Sequence, residues 1–365
     1  MNRIMLRAAA VGTAMMLTAA GCKQSNDTIY VPVDKEKPVP VFTGVEALKA
    51  YLEEQSGGGS AAEPVPLKLS VALSADETAG LFAALAAAGK YVSLDLSECK
   101  ELDVWEHYGT GADRVVSLVL PDSVTEIAKG TSSAATFASF ASLETLTANG
   151  VKTVGNYAFR NSAALASISL PAATVIEGTA FQDCAALASA NLYSATDIKT
   201  GAFTGCANLT DIRVSSDNPN YSAKDGMLLD KAGTTLAAYP SAHGEITTLP
   251  ETITAIGDYA FRLCAALTSV NLPAAVTIGA YTFQDCAALE SANLSVATAI
   301  GAGAFQNCAA LASISLPSAA TIGANAFNAC VGKPACGCNY RGRRVSGLRR
   351  ACIGEPARGY SYRSR

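Results

Sequence analysis

Eleven cysteines and two histidines bound the chemistry open to this 365-residue chain. Six of the cysteines, Cys184, Cys206, Cys264, Cys286, Cys308 and Cys330, share one column and recur at a 22-residue step within two runs. A zinc knuckle needs thiolates two to four residues apart, so this column reads as a small buried side chain that returns once per structural repeat. Cys336 and Cys338, with Cys330 and Cys352 nearby, sit in a tail of different composition and are not assigned a metal. His107 and His243 have no partner pattern, and there is no nucleophile elbow, phosphate loop or dinucleotide fingerprint. Asp217, Asn218 and Asp225 lack the closely spaced acids of a calcium loop and read as turn residues. The residues therefore predict no catalytic group, no metal and no cofactor, and a chain that is not an enzyme.

Cys22 is the exception. Arg3 and Arg7 precede a short apolar run at residues 8–19. That run is too short to cross a bilayer, which takes about 20 residues, and reads as the core of a signal peptide. It ends in Ala19-Ala20-Gly21-Cys22, which resembles a bacterial lipobox; Ala19 in place of Leu is similar to the looser spirochaete form. The resemblance implies that Cys22 is acylated and heads the mature chain, with membrane contact through the lipid only. Residues 1–21 are then the signal peptide and 22–66 a lipidated tether. Pro32, Pro38, Pro40 and the Ser56-Gly57-Gly58-Gly59-Ser60 linker support the tether reading, and Val45 to Glu54 is predicted to form a short helix within it.

Composition limits the rest. Half of the residues are hydrophobic, 16% are charged, mean hydropathy is +0.23 and the net charge is −4. These values exclude a mainly disordered chain, and a pI near 5.4 excludes nucleic-acid binding by bulk charge. The charge is uneven. Residues 331–365 hold eight Arg, Lys333 and a single acid, Glu355, a balance of +8 that leaves −12 for the remainder.

An internal repeat positions everything else. Phe recurs at 159, 181 and 203, then at 261, 283, 305 and 327, again at a step of 22. An Ile or Val stands five residues before each Phe, a Cys or Ser three after, and from Phe159 to Phe305 a Leu six after. Phe137, Leu143 and Leu146 mark a degenerate earlier copy. Each copy carries a short alternating strand such as Ser167-Ile168-Ser169-Leu170, with Ile168 and Leu170 inward. One copy buries about five apolar side chains at ~1.5–3 kcal/mol each. Ordering 22 backbones costs ~1–2 kcal/mol per residue, so the copies must stack.

The motif I-G-x-x-A-F-x-x-C-x-x-L resembles the BspA-like branch of leucine-rich repeat proteins. The expected fold is a mostly-β α/β solenoid of 22-residue period over 115–330, with an inserted β-hairpin and an N-terminal β-α-β cap over 67–114. The insert lies in the 58-residue gap between Phe203 and Phe261, where Asp225-Gly226 is a hairpin signal. In the cap, Ser74 and Glu77 form a capping box before a helix that Gly89 ends. After Cys330 the register stops abruptly, so 331–365 are expected to be a disordered basic tail such as a reading-frame change would produce.

Two outward columns remain as the candidate surface. One reads Ser167, Ser189, Asp211, Ser269, Ser291, Ser313; the other reads Ser169, Asn191, Arg213, Asn271, Asn293, Ser315. Asp211 and Arg213 are the only charged pair and directly precede the insert. Asp211, Arg213, Asn191, Asn271 and Asn293 are the ligand-contact candidates. The family resemblance implies an adhesin of the bacterial outer membrane or cell surface, binding a protein or glycan on a host or on other bacteria and no nucleic acid. The alternative is a periplasmic or envelope scaffold without a host ligand.

Overall fold

The computed structural model describes residues 39–106, 111–243 and 248–330. The expected signal peptide, Cys22, His107 and the basic tail lie outside them. Each repeat adds one short strand to a parallel sheet, because its alternating residues put one apolar side chain inward between two polar ones. Val41–Phe42, Val65–Leu69, Val92–Asp95, Val115–Val119, Thr145–Thr147, Ser167–Ser169, Ser189–Asn191 and Asp211–Arg213 form an eight-stranded sheet in that order. After the insert, Ser269–Asn271, Ser291–Asn293 and Ser313–Ser315 form a second. The register is one repeat per step, Ser167 opposite Ser189 opposite Asp211. A second row of two-residue strands, such as Val175–Ile176 and Thr277–Ile278, closes the opposite side of each rung.

The phenylalanines form ring stacks along the coil. Phe137, Phe159, Phe181 and Phe203 lie 4.4, 5.1 and 5.4 Å apart by ring centroid. Phe261, Phe283, Phe305 and Phe327 follow at 4.9, 4.9 and 5.3 Å. Strands in a sheet lie about 4.8 Å apart, so ring spacing and backbone spacing coincide. Trp105 stacks on Phe137 at 6.0 Å and extends the first row by a ring that the repeat pattern does not contain. The glycine column allows this close approach: a Cβ on Gly301 would sit 2.4 Å from the Gly279 carbonyl carbon, well inside contact distance. Two residues per rung are left-handed, one two before and one two after the Phe, as at Thr179 (φ 57°) and Asp183 (φ 60°). Asn, Asp or Gly fills most of the second set at little cost, as at Asn161, Gly205, Asp285 and Asn307.

The tether reading is corrected over residues 39–66. Val41–Phe42 pairs with the strand Val65–Leu69, and the helix Val45–Glu54 buries Leu48 and Leu52 completely. The glycine linker is docked as well. Tyr91 donates to the Gly58 carbonyl at 2.9 Å and Val65 to that of Tyr91 at 2.8 Å, and a Cβ on Gly58 would meet Val65 at 2.9 Å. Glycine here serves close packing at a positive φ of 77°, a use that composition cannot separate from flexibility. The helix Ala75–Ala88 has Ser74 and Glu77 as a complete capping box and a left-handed Gly89 at its end.

The insert is three antiparallel strands, Tyr221–Lys224, Met227–Asp230 and Thr235–Ala238. Asp225 and Gly226, both at positive φ, make the two-residue turn. Thr235–Ala238 then pairs in parallel with Ala255–Ile256. Tyr239, 22 residues before Phe261, lies against its ring at 4.6 Å, tilted by 31°. The insert thus supplies its own rung, with Leu236 and Tyr239 in the Ile and Phe positions. Its middle strand divides the core: Leu228 packs into the N-terminal part, Met227 and Leu229 into the C-terminal part.

Phe283→Ala should cost about 3–5 kcal/mol, and the exposed Asn293→Ala about 0.5 kcal/mol; equal losses in a denaturant melt would reverse the inside and outside of the coil. A second expectation concerns Asp230. Burial alone would raise its carboxyl, but hydrogen bonds from Thr235 and Thr234 outweigh it and hold the group below its ordinary 3.8. A depressed carboxylate stabilises above its unfolded value and loses that contribution as pH falls through the folded one. The stability gap between wild type and Asp230→Asn should therefore close as denaturant melts are taken below pH 3.8. A gap that is constant with pH would contradict this.

Candidate functional site on the strand face

The outward columns are real but are not continuous. Asn191 stands opposite Arg213 in the first sheet, and Asn271 opposite Asn293 in the second. Arg213 and Asn271 are not neighbours. The insert separates them: Ile212 donates its N–H to the Gly226 carbonyl at 2.9 Å, and Ala242 donates to Leu209 at 2.8 Å. The hairpin turn therefore occupies the place where the next strand would pair.

The two halves differ in chemistry. In the second sheet, Asn293 Nδ2 donates to Asn271 Oδ1 at 2.8 Å, and Asn271 Nδ2 donates to Thr248 Oγ1 at 3.1 Å. This is a ladder of side-chain amides with one direction of donation. In the first sheet, Arg213 Nε donates to Asp211 Oδ2 within the same strand. Asp211 holds the Arg213 guanidinium above its ordinary range, and the nearby Tyr193 adds a smaller effect in the same direction. Beside them Asn191 Oδ1 is shielded from solvent and accepts no bond among the described residues.

Tyr193 is the functional candidate that the sequence reading missed. Its ring is 50% exposed, one of few large apolar side chains left open. It stands where Pro171, Pro273 and Pro317 stand in other repeats, so the available signal was an aromatic in a proline column. Tyr and Arg dominate the residues that carry binding energy at interfaces, and here they meet at the last strand before the insert. No general acid–base pair or nucleophile accompanies them, so this arrangement can bind through hydrogen bonds, charge and a ring face.

The cysteine column faces away from this surface into the core. Its residues do more than fill space. Cys184 Sγ donates to the Phe159 carbonyl at 3.0 Å, and Cys206, Cys286, Cys308 and Cys330 do the same to Phe181, Phe261, Phe283 and Phe305 at 2.8–3.1 Å. Cys264 instead meets the Ser241 hydroxyl at 3.7 Å. Burial pushes the thiols of Cys206 and Cys264 up to about 12, and those of Cys184, Cys286 and Cys308 up as well. The described residues contain no cluster of three or more His, Cys, Asp or Glu side chains able to hold a metal ion. At pH 8 the native thiols of Cys184, Cys206, Cys264, Cys286 and Cys308 should resist iodoacetamide until the protein unfolds, because the thiolate is the reactive form. Rapid alkylation of these peptides in the native state, read by mass spectrometry, would contradict the buried column.

The BspA-type leucine-rich repeat region matches this chain in six copies, over residues 111–224 and 239–333. Three solved structures are similar to it. A leucine-rich cell surface protein of Faecalibacterium prausnitzii is 25% identical over 73% of this chain, with TM-score 0.48. A leucine-rich repeat protein of Eubacterium ventriosum is 22% identical over 64% of this chain and 77% of its own length, with TM-score 0.46. The pneumococcal vaccine antigen PcpA is 20% identical over 65% of each chain, with TM-score 0.49. The chain spans 64% of the length of the Faecalibacterium protein. No curated protein matches it. With six family copies over more than half of its length, this chain belongs to the BspA-type leucine-rich repeat family.

Proposed function

We propose that the protein is a lipid-anchored binding protein displayed on the bacterial envelope, and that it attaches to a protein or glycan of a host or of another bacterium without catalysing a reaction. The observation that carries this reading is the open cluster of Tyr193, Arg213 and Asp211 on a rigid parallel sheet. Stacked repeats hold such a surface without ordering cost at the moment of binding. Family membership supports a binding scaffold, and the adhesive role extends it by analogy of fold. Anchoring rests on the lipobox-like run before Cys22, with the outer membrane or cell surface as the location.

Two experiments test the two halves of the proposal. Cys22→Ser should abolish fatty-acid labelling and partition into detergent; a variant that stays lipidated overturns the anchor. For binding, intact cells that display the full chain are exposed to immobilised matrix glycoproteins and to other bacteria. Tyr193→Ala with Arg213→Glu should reduce attachment about tenfold, which corresponds to ~1.4 kcal/mol, at an unchanged melting temperature. Attachment equal to wild type would remove this cluster as the contact site. Loss of the protein from intact cells on protease treatment supports surface display, and full protection contradicts it.

A further inference from the structure

The turn side of the coil carries a second feature. Around most rings of the stack, the residues two before and one after the Phe form a surface row. Near the insert these are Tyr157 and Arg160, Thr179 and Gln182, Gly201 and Thr204, then Tyr259 and Arg262. The insert's own rung, built on Tyr239, has Ala237 and Pro240 at these positions. Neither lines the depression of 420 Å³ on this side, which lies over the short residues Thr179, Gly201 and Thr204. Its two ends are Tyr–Arg pairs, with each guanidinium 5.8 Å from its tyrosine ring. Its floor is Thr179, Gln182, Gly201 and Thr204. A smaller, more apolar cavity of 230 Å³ shares Gly201, Thr204 and Tyr259 with it and lies against the insert.

The electrostatics of this depression depart from the acidic body around it. No carboxylate lines it. Arg160 donates to the Ser132 backbone carbonyl and has no ion-pair partner among the described residues, and Arg262 reaches Asp285 only at 3.9 Å. Nε of both arginines lacks an acceptor. The hydroxyl of Thr204, a residue only 4% exposed, is likewise without a partner. Buried polar groups are almost always satisfied, so three shielded, unpartnered donors beside one depression mark a place where small side-chain shifts would let an acceptor-rich ligand satisfy them.

We propose that this depression binds an anionic polysaccharide segment, carboxylated or sulfated. On this side Tyr259 stands directly beside Gly201, so Arg160 and Arg262 lie three rung steps apart, roughly 14 Å at strand spacing. That span fits a chain with charges at intervals rather than a single small anion. Guanidinium groups bind carboxylate and sulfate through charge-assisted hydrogen bonds. The hydroxyls and amide of the floor match sugar hydroxyls, and the flanking tyrosines offer ring faces. An acidic peptide would need an apolar anchor pocket at the centre of its contact, and the floor between the arginines is polar. The site is on a different side of the coil from Tyr193 and Arg213 and does not depend on them.

The test uses the full chain and three hexasaccharide probes: a uronate oligomer, a sulfated oligomer and a neutral dextran oligomer. Binding is followed by fluorescence anisotropy at 0.15 M salt. Arg160→Gln with Arg262→Gln should weaken the anionic probes about tenfold, and Thr204→Val about threefold. The charge-matched control Lys49→Gln with Lys224→Gln, two exposed lysines elsewhere, should change them less than twofold; every variant keeps the basic tail, so its attraction cancels. The stronger of the two anionic probes identifies the acidic group. Equal losses in the arginine and lysine pairs, equal binding of dextran, or tighter binding of a poly-glutamate peptide would each overturn the proposal. If the double variant lowers the melting temperature, Arg262→Gln alone decides, since its guanidinium holds no backbone carbonyl. Arg213→Glu should leave the probes unaffected, which separates this site from the strand face.

Discussion

The carbonyl oxygen of each stacked phenylalanine accepts two hydrogen bonds where the stack is regular. In the rung of Phe181 one comes from the Cys184 backbone N–H at 3.2 Å, which closes the turn, and the other from the Cys206 thiol of the next rung at 3.1 Å. Phe283 repeats the arrangement with Cys286 and Cys308. A buried carbonyl that loses a partner is destabilised by about 1–3 kcal/mol, so every rung depends on the one after it. The same neighbour covers the ring and pairs the strand. That dependence makes the period strict: a residue gained or lost within a rung would move ring, thiol and strand out of register together.

An insert of 36 extra residues would be expected to break such a coil. The structure accommodates it by making the insert a rung. Tyr239 replaces phenylalanine, Leu236 replaces isoleucine, and the strand Met227–Asp230 carries apolar side chains toward both halves of the core. The thiol link is where the repair is incomplete, because Cys264 meets the Ser241 hydroxyl and not a ring residue's carbonyl. Both proposed binding surfaces lie beside this repair. On the strand face it ends the first sheet next to Arg213, and on the turn side the apolar cavity against its strands shares Gly201, Thr204, Tyr259 and Arg262 with the depression. A regular array presents the same groups at every step, and the interruption is what gives one region a distinct chemistry.

The periodic part of the fold was legible because it rests on columns: Phe, Ile and Leu at fixed phase require stacking, and Asp225-Gly226 requires a tight turn. Three things were not legible, each for a physical reason. The Ser56–Ser60 glycine run has the composition of a flexible linker, yet Gly58 is selected for close packing against Val65 and Tyr91, a contact 33 residues away in the chain. Tyr239 escaped because a lone aromatic among alanines lacks the flanking motif. The cysteines read as small apolar side chains because thiol donation to a backbone carbonyl leaves no trace in spacing. On the candidate site, Asp211 and Arg213 were identified as a pair and lie together. Their separation from Asn271 was hidden, since columns count residues and do not show what an insert places between two rungs.

The central claim is that the insert seals the open edge of the first sheet, so that the two core clusters on either side of its middle strand are held in one compact unit. The Ile212 amide reads this directly, because its N–H is donated across the junction to the Gly226 carbonyl. Native-state hydrogen exchange on the full chain would compare it with the Phe159 and Phe283 amides, which donate to the next rung within each half. A sealed junction gives Ile212 protection within about tenfold of those two, that is within ~1.4 kcal/mol of their opening free energy. Exchange of Ile212 at the rate of an unpaired edge strand, while Phe159 and Phe283 stay protected, would mean that the halves are independent and that the insert is only an appendage.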